Sequence, residues 1–89
     1  MMNNELYQAA FDAWGEDAQL NVAIEELSEL IKEICKQKRG IGVSEHLVEE
    51  VADVEIMLEQ IKQIFHIADE EVGWWKSFKL SRLAERLRL

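Results

Sequence analysis

The sequence predicts an all-α protein that forms a single domain over residues 1–89. The chain has no proline and only four glycines, so few residues interrupt helix formation. Its β-branched residues recur at helical spacing and do not alternate with polar residues as they would in strands. A chain of 89 residues buries a modest fraction of its surface, so the domain is either marginally stable alone or stabilised by self-association.

Four helices are predicted, over residues 4–14, 17–39, 44–66 and 69–88. The second helix ends where basic side chains complement its dipole, and Gly40 follows in a left-handed conformation. Ser44 is predicted to be the N-cap of the third helix. Asp69 is predicted to cap the fourth helix, with Glu70 and Glu71 in its first turn.

Helical periodicity separates the faces of the two central helices. The second helix carries a broad apolar stripe with polar residues opposite it: Leu20, Ala23, Ile24, Leu27, Leu30, Ile31 and Ile34. The third helix carries a comparable stripe at Leu47, Val51, Val54, Leu58, Ile61 and Phe65. A second apolar line on the third helix, at Val48, Ala52 and Ile56, is typical of a helix buried between subunits.

Charge and composition exclude several classes of function. The net charge of −8 argues against general binding to nucleic acids or to anionic membranes. No apolar run approaches the ~18 residues of a membrane helix. A single cysteine, Cys35, excludes an internal disulfide and predicts a reducing compartment, the cytoplasm. The acidic middle of the chain and its basic end indicate either paired helices or a site that combines metal ligands with anion contacts.

Two pairs of acids differ from the ordinary solvated acids of the central helices. Glu26 and Glu29 are three residues apart, and so are Glu50 and Asp53, so each pair shares one helix face. An antiparallel hairpin could bring the pairs together, where four carboxylates would repel one another. A hard divalent cation such as Mg²⁺ or Mn²⁺ would remove that penalty. On these grounds a metal site and a charged interhelical surface both remain open.

The two acidic motifs resemble a known signature. "EELSE" at 25–29 and "EVAD" at 50–53 are similar to the EExxE…ExxD pattern of the MazG-like, all-α nucleoside triphosphate pyrophosphohydrolases. The spacer between the motifs, the upstream Gln19 and the C-terminal "FKLSRLAERL" are also similar to short phage- and bacterial-type members. The resemblance therefore covers nearly the whole chain.

The resemblance implies a four-helix-bundle architecture that assembles as a dimer or tetramer. Members of this family hydrolyse nucleoside triphosphates, often deoxy or non-standard ones, to the monophosphate and pyrophosphate. Carried over by position, the Mg²⁺ ligands would be Glu26, Glu29, Glu50 and Asp53, with Mn²⁺ as an alternative ion. The expected role is nucleotide-pool housekeeping. The expected partners are the nucleotide substrate and further copies of the chain, without stable nucleic-acid or membrane binding.

Further residues are expected to serve catalysis and phosphate binding. Glu25 and Glu33 are both candidates for the general base, and the sequence does not choose between them. Lys79 and Arg82 are candidates for contacts with the β- and γ-phosphates across a subunit boundary. The alternative for these two cations is ion pairing with the acidic helices.

Three residues around the start of the second helix are candidates for the nucleoside end of the substrate. Trp14 precedes the helix that carries the first motif and is the aromatic residue expected nearest the base, with core packing as the alternative. Asn21 is a candidate for reading an edge of the base or sugar. Gln19, upstream of the first motif, is also a candidate substrate contact.

A non-enzymatic interpretation explains the same acids. In it the chain is an oligomeric helical adaptor or regulatory module whose acidic helices bind a basic partner. The two interpretations differ in what they predict for amide substitutions at Glu50 and Asp53. Such substitutions would abolish turnover of an enzyme, whereas in an adaptor they would weaken partner binding without any dependence on metal.

Overall fold

The computed structural model describes residues 2–89, and this part of the chain consists of four helices without strands. Helix α1 spans Asn3–Trp14, α2 spans Glu16–Lys38, α3 spans Ser44–Ile64 and α4 spans Asp69–Leu87. The all-α class and the four helices are confirmed, and each boundary lies within two residues of its prediction. None of these helices combines the length and the apolar character that crossing a membrane requires.

Helix α1 supplies the aromatic side chains of a small core. This core consists of Tyr7, Phe11 and Ile64, with Leu20 of α2 packed against it. The side-chain amide of Gln63 on α3 donates a hydrogen bond of 3.1 Å to the carbonyl oxygen of Asn4. These contacts hold α1 against both α2 and α3.

The turn between α2 and α3 satisfies backbone carbonyl groups at the end of α2. The N–H of Ile41 donates to the carbonyl of Lys36 at 3.1 Å, and the N–H of Gly40 donates to that of Gln37 at 3.0 Å. These are the two bonds of a Schellman motif. Gly40 has a φ of 75°, which confirms its predicted left-handed conformation. After this reversal, α2 and α3 pack against each other as an antiparallel pair.

Both predicted N-caps are wrong. Ser44 is already the first helical residue of α3, one position past the cap. Ala68 occupies the cap of α4, and its N–H donates to the Glu71 carboxylate at 2.8 Å. Asp69 instead accepts a hydrogen bond of 2.8 Å from Nζ of Lys62, and this contact lowers the pKa of Asp69. The side chain of Asp69 therefore ties the start of α4 to the end of α3.

Helix α4 makes few contacts with the rest of the chain, and none of its residues is buried. Its aromatic side chains contact one another instead: the rings of Trp74 and Phe78 are stacked 5.6 Å apart, and Trp75 lies edge-on to both. The four-helix bundle and the dimer or tetramer therefore stay predictions, because a single chain does not bury α4.

The chain exposes more surface than its size predicts. Its accessible surface is 7181 Å², whereas a compact monomer of 10.4 kDa exposes about 5,400 Å². Its radius of gyration is 16.1 Å, against about 12 Å for a compact chain of this length. Much of the apolar stripe predicted on α2 belongs to the exposed surface: Ile24, Leu27, Ile31 and Ile34. Ala23 and Leu30 of the predicted stripe pack toward α3, whereas these four residues stay exposed.

Candidate metal centre and adjoining cavity

Helices α2 and α3 meet along a seam in which polar and apolar residues are interspersed. On α2 the inward positions are Gln19, Ala23, Glu26, Leu30, Glu33 and Gln37. On α3 they are Leu47, Glu50, Val54, Met57, Ile61 and Ile64, with Asp53 and Gln60 beside them. All of these residues are buried or half-buried. Their alternating spacing of three and four residues is typical of helices that cross at a shallow angle.

Three carboxylates converge in the middle of this seam. Glu26 of α2, with Glu50 and Asp53 of α3, can each offer an oxygen such that the three atoms lie within 4.8 Å of one another. Oxygen Oε2 of Glu50 is buried, and no described residue of the chain forms a hydrogen bond with it. None of the ion pairs formed within residues 2–89 reaches these acids. Such a cluster is unfavourable unless it gains a proton or a cation.

The electrostatics of the cluster act most strongly on Glu26. Burial, followed by the negative charges of Asp53 and Glu50, raises the pKa of Glu26 from 4.5 to about 7. A hydrogen bond from the protonated carboxyl group to Asp53 or to Glu50 acts in the same direction. Near neutral pH the cluster therefore holds a proton part of the time, and cation binding would displace that proton.

The donor set fits a hard divalent cation. Carboxylate oxygens are the ligands that Mg²⁺ and Mn²⁺ prefer, and Mg²⁺ commonly keeps waters or phosphate oxygens in its remaining positions. The partial exposure of all three acids leaves room for such ligands. The unpartnered oxygen of Glu50 supplies an acceptor that nothing in the described chain satisfies. The residues present can therefore hold Mg²⁺.

The other acids of the predicted site lie outside this group. Glu25 and Glu29 are exposed on α2. Glu33 is buried, about 10 Å along the helix from Glu26. Its Oε1 lies 3.5 Å from Nζ of Lys36, whereas its Oε2 has no hydrogen-bond partner in the described part of the chain. The structure thus brings together three of the four predicted metal ligands. The roles of Glu29, Glu25 and Glu33 stay predictions.

The candidate phosphate contacts lie on α4, apart from the seam. Lys79 and Arg82 are exposed, and the guanidinium carbon of Arg82 lies 5.8 Å from the centre of the Phe78 ring. Within residues 2–89 neither cation forms an ion pair with the acidic helices. To reach phosphates at the carboxylates, these side chains would have to come from another copy of the chain, or α4 would have to move.

A cavity of about 530 Å³ lies between α1 and the α2–α3 pair. Two of the three candidates for the nucleoside end of the substrate line it, namely Gln19, which is buried, and Trp14, which is exposed. Asn21 is exposed on α2 and does not line this cavity. Gln60 of α3 also lines the cavity and is buried.

Sequence reasoning missed Gln60, although a signal for it exists. Gln60 follows Asp53 by seven residues, just as Gln19 precedes Glu26 by seven. In an antiparallel pair of helices, these equal spacings bring the two amides to the same level. A search for polar residues at seam spacing from the acidic motifs would have found both glutamines.

No family model matches this chain, and neither does any curated protein or solved structure. The fold and the site together describe an α-helical hairpin with a three-carboxylate centre and an adjoining, mostly apolar cavity.

Proposed function

We propose that this chain is a Mg²⁺-dependent nucleoside triphosphate pyrophosphohydrolase of the MazG-like, all-α type. The observation that carries the proposal is the convergence of Glu26, Glu50 and Asp53, which come from both acidic motifs, at one point of the seam. Acids without a function would be more stable in solvent, because their mutual repulsion and burial are unfavourable. A site that binds a cation and a triphosphate explains why the chain keeps them together.

The proposed reaction is attack of water on the α-phosphate, which yields the monophosphate and pyrophosphate. Bound Mg²⁺ would neutralise charge on the triphosphate and lower the pKa of the attacking water. Glu26, Glu50 and Asp53 would hold and orient the ion, and Glu26 would release its proton on binding. Glu29 lies one turn beyond Glu26 on α2 and is proposed as the fourth ligand.

The general base is proposed to be Glu25 or Glu33. A base must reach the attacking water directly or through one further water. Glu25 is adjacent to Glu26 and exposed, whereas Glu33 is buried but two turns away. Glutamine substitution at each position distinguishes the two candidates. Loss of the true base lowers kcat without changing the affinity for Mg²⁺. A merely structural Glu33 would change stability and leave kcat unaltered.

We further propose that the active form is a homo-oligomer. The chain exposes about 1,800 Å² more than a compact monomer of its size, which is the area that one subunit covers in a large obligate interface. The apolar stripe of α2 and the aromatic face of α4 would supply that interface. The basic end of α4 complements the acidic α2–α3 pair in charge, so Lys79 and Arg82 would contact phosphates in another copy's site.

The test is pyrophosphate release from a panel of canonical and modified NTPs and dNTPs, with Mg²⁺, with Mn²⁺ and with a chelator. We expect release from at least one nucleotide only when the metal is present. Glu50→Gln should abolish it, whereas Glu55→Gln, at an exposed acid on the same helix, should not. No release from folded protein across the panel would contradict the proposal. It would favour the adaptor, whose basic partner should then bind without metal.

A further inference from the structure

The cavity beside α1 combines apolar walls with a few buried polar side chains. Its wall on the α1 side is largely apolar and includes Leu6, Ala10 and Ala13. Trp14 lies at its rim with 69% of its surface exposed, which leaves an aromatic face available to a ligand. Apolar walls with a few polar groups are typical of sites for small organic ligands.

Two buried glutamines contribute polar groups to this cavity. Gln60 and Gln19 each line it with only 7% of their surface exposed. The carbonyl oxygen Oε1 of Gln60 is buried and finds no hydrogen-bond partner among residues 2–89. Buried amides are nearly always hydrogen-bonded, so an unpartnered one beside a cavity indicates a missing donor.

The cavity lies along the same two helices as the carboxylate cluster, about two helical turns away. Gln60 lies seven residues from Asp53 on α3, and Gln19 lies seven residues from Glu26 on α2. Seven residues of helix span about 10 Å. This separation is comparable to the length of a nucleotide from its phosphates to the far edge of its base. One ligand can therefore occupy the carboxylate cluster and the cavity together.

We propose that this cavity binds the base of the nucleotide and that Gln60 is the residue that determines base specificity. The ligand class is a planar heterocycle whose edge presents an N–H donor next to an acceptor. The amide of Gln60 accepts from that N–H through Oε1 and donates through Nε2 to the neighbouring acceptor. Trp14 covers the ring at the cavity rim. This inference rests on the proposed function for the phosphate end of the ligand.

The first experiment measures kcat/KM of Gln60→Met across the nucleotide panel. Methionine keeps the length of the side chain and removes its hydrogen bonds, so the preferred base should lose about 10- to 100-fold and the differences among bases should shrink. The matched control is Gln37→Met, because Gln37 is a half-buried amide at the other end of the same seam, with Nε2 unpartnered. We expect its base preference to match the wild type. An unchanged ranking of bases in Gln60→Met would overturn the proposal, whether total activity falls or not.

The second experiment does not depend on turnover. Nucleosides without phosphates are titrated against the protein in chelator, with saturation-transfer NMR as the readout and circular dichroism as the check of folding. We expect wild-type protein and Gln37→Met to bind at least one nucleoside, and Gln60→Met to bind it at least tenfold more weakly. Binding without any turnover would refute the pyrophosphohydrolase and leave the cavity assignment standing. If no nucleoside binds, or if Gln60→Met binds equally well, the assignment is wrong. The cavity would then be packing surface for a second copy.

Discussion

Replacing Glu26 by glutamine should stabilise the metal-free protein, although the substitution removes a residue of the proposed site. Glu26 shares its surroundings with Asp53 and Glu50, and its ionisation adds a third negative charge to a half-buried cluster. Glutamine has nearly the same shape and carries no charge. The variant should therefore keep the packing of the seam and lose the repulsion.

The magnitude follows from the raised pKa of Glu26, which burial and its two neighbours lift from 4.5 to about 7. A carboxyl group with a raised folded-state pKa contributes stability that is complete below about pH 4.5 and is lost as the pH rises through about 7. The unscreened shift corresponds to about 3 kcal/mol. Because the side chain is partly exposed, solvent screening reduces the expected effect to about 1–2 kcal/mol.

The assay is urea unfolding of wild type and Glu26→Gln in chelator, at a series of pH values. We expect equal stability near pH 4 and an advantage for the variant of about 1–2 kcal/mol near pH 8. Glu25→Gln is the control, since Glu25 is the adjacent, exposed acid and should show no such pH dependence. Identical pH profiles for wild type and Glu26→Gln, or a less stable variant near pH 8, would refute the electrostatic argument.

Three further predictions concern the metal, a turn and the oligomer. Millimolar Mg²⁺ should raise the Tm of the wild type and of the control Glu55→Gln, but not that of Asp53→Asn. Equal Tm shifts in all three proteins would exclude a Mg²⁺ site at the carboxylate cluster. His66 precedes α4 with a φ of 56°, so His66→Gly should raise the free energy of unfolding by about 0.5–1 kcal/mol, and a loss of stability in urea unfolding would contradict this. Ile31→Glu should shift sedimentation toward the monomer, whereas Lys32→Glu should not, because Ile31 belongs to the exposed apolar stripe; a monomeric wild type would refute the oligomer.

Local signals in the sequence were sufficient to predict the helices and the α2–α3 turn. Gly40 and the basic residues before it mark the end of α2 through effects that act within one turn of helix. The N-cap predictions were wrong because a serine or aspartate caps a helix only when its own backbone lies outside the helix. Ser44 and Asp69 are both already helical. The Asp69 carboxylate instead pairs with the ammonium group of Lys62. This ion pair joins two helices, so the local sequence pattern does not reveal it.

The packing seam could not be found from hydrophobicity. The apolar stripe with Ile24 and Ile31 is the face that hydrophobic periodicity favours, yet both side chains are exposed. The seam instead includes Glu26 and Glu33, which a rule based on apolar residues assigns to the flank. Hydrophobic periodicity therefore fails twice, because part of the apolar stripe is exposed and part of the packed seam is charged.

The candidate site was predictable to the extent that it depends on short-range spacing. The i,i+3 pairs correctly identified Glu26, Glu50 and Asp53 as acids that could converge. The position of Glu29 depends on the rotation of α2 relative to α3, which spacing alone does not specify. Gln60 was missed because a single amide forms no recognised motif. Before the cavity is known, only its seven-residue spacing from Asp53, matched by that of Gln19 from Glu26, marks it.

The central claim is Mg²⁺-dependent attack of water on the α-phosphate of a nucleoside triphosphate. Its most direct test is ³¹P NMR of the products formed in ¹⁸O-labelled water with Mg²⁺, from the nucleotide of the panel that is hydrolysed fastest. Attack at the α-phosphate predicts two products, a monophosphate that carries the label and an unlabelled pyrophosphate. The reaction should stop when the metal is chelated. A nucleoside diphosphate with free phosphate, or label in the pyrophosphate, would contradict the proposed reaction at the carboxylate cluster.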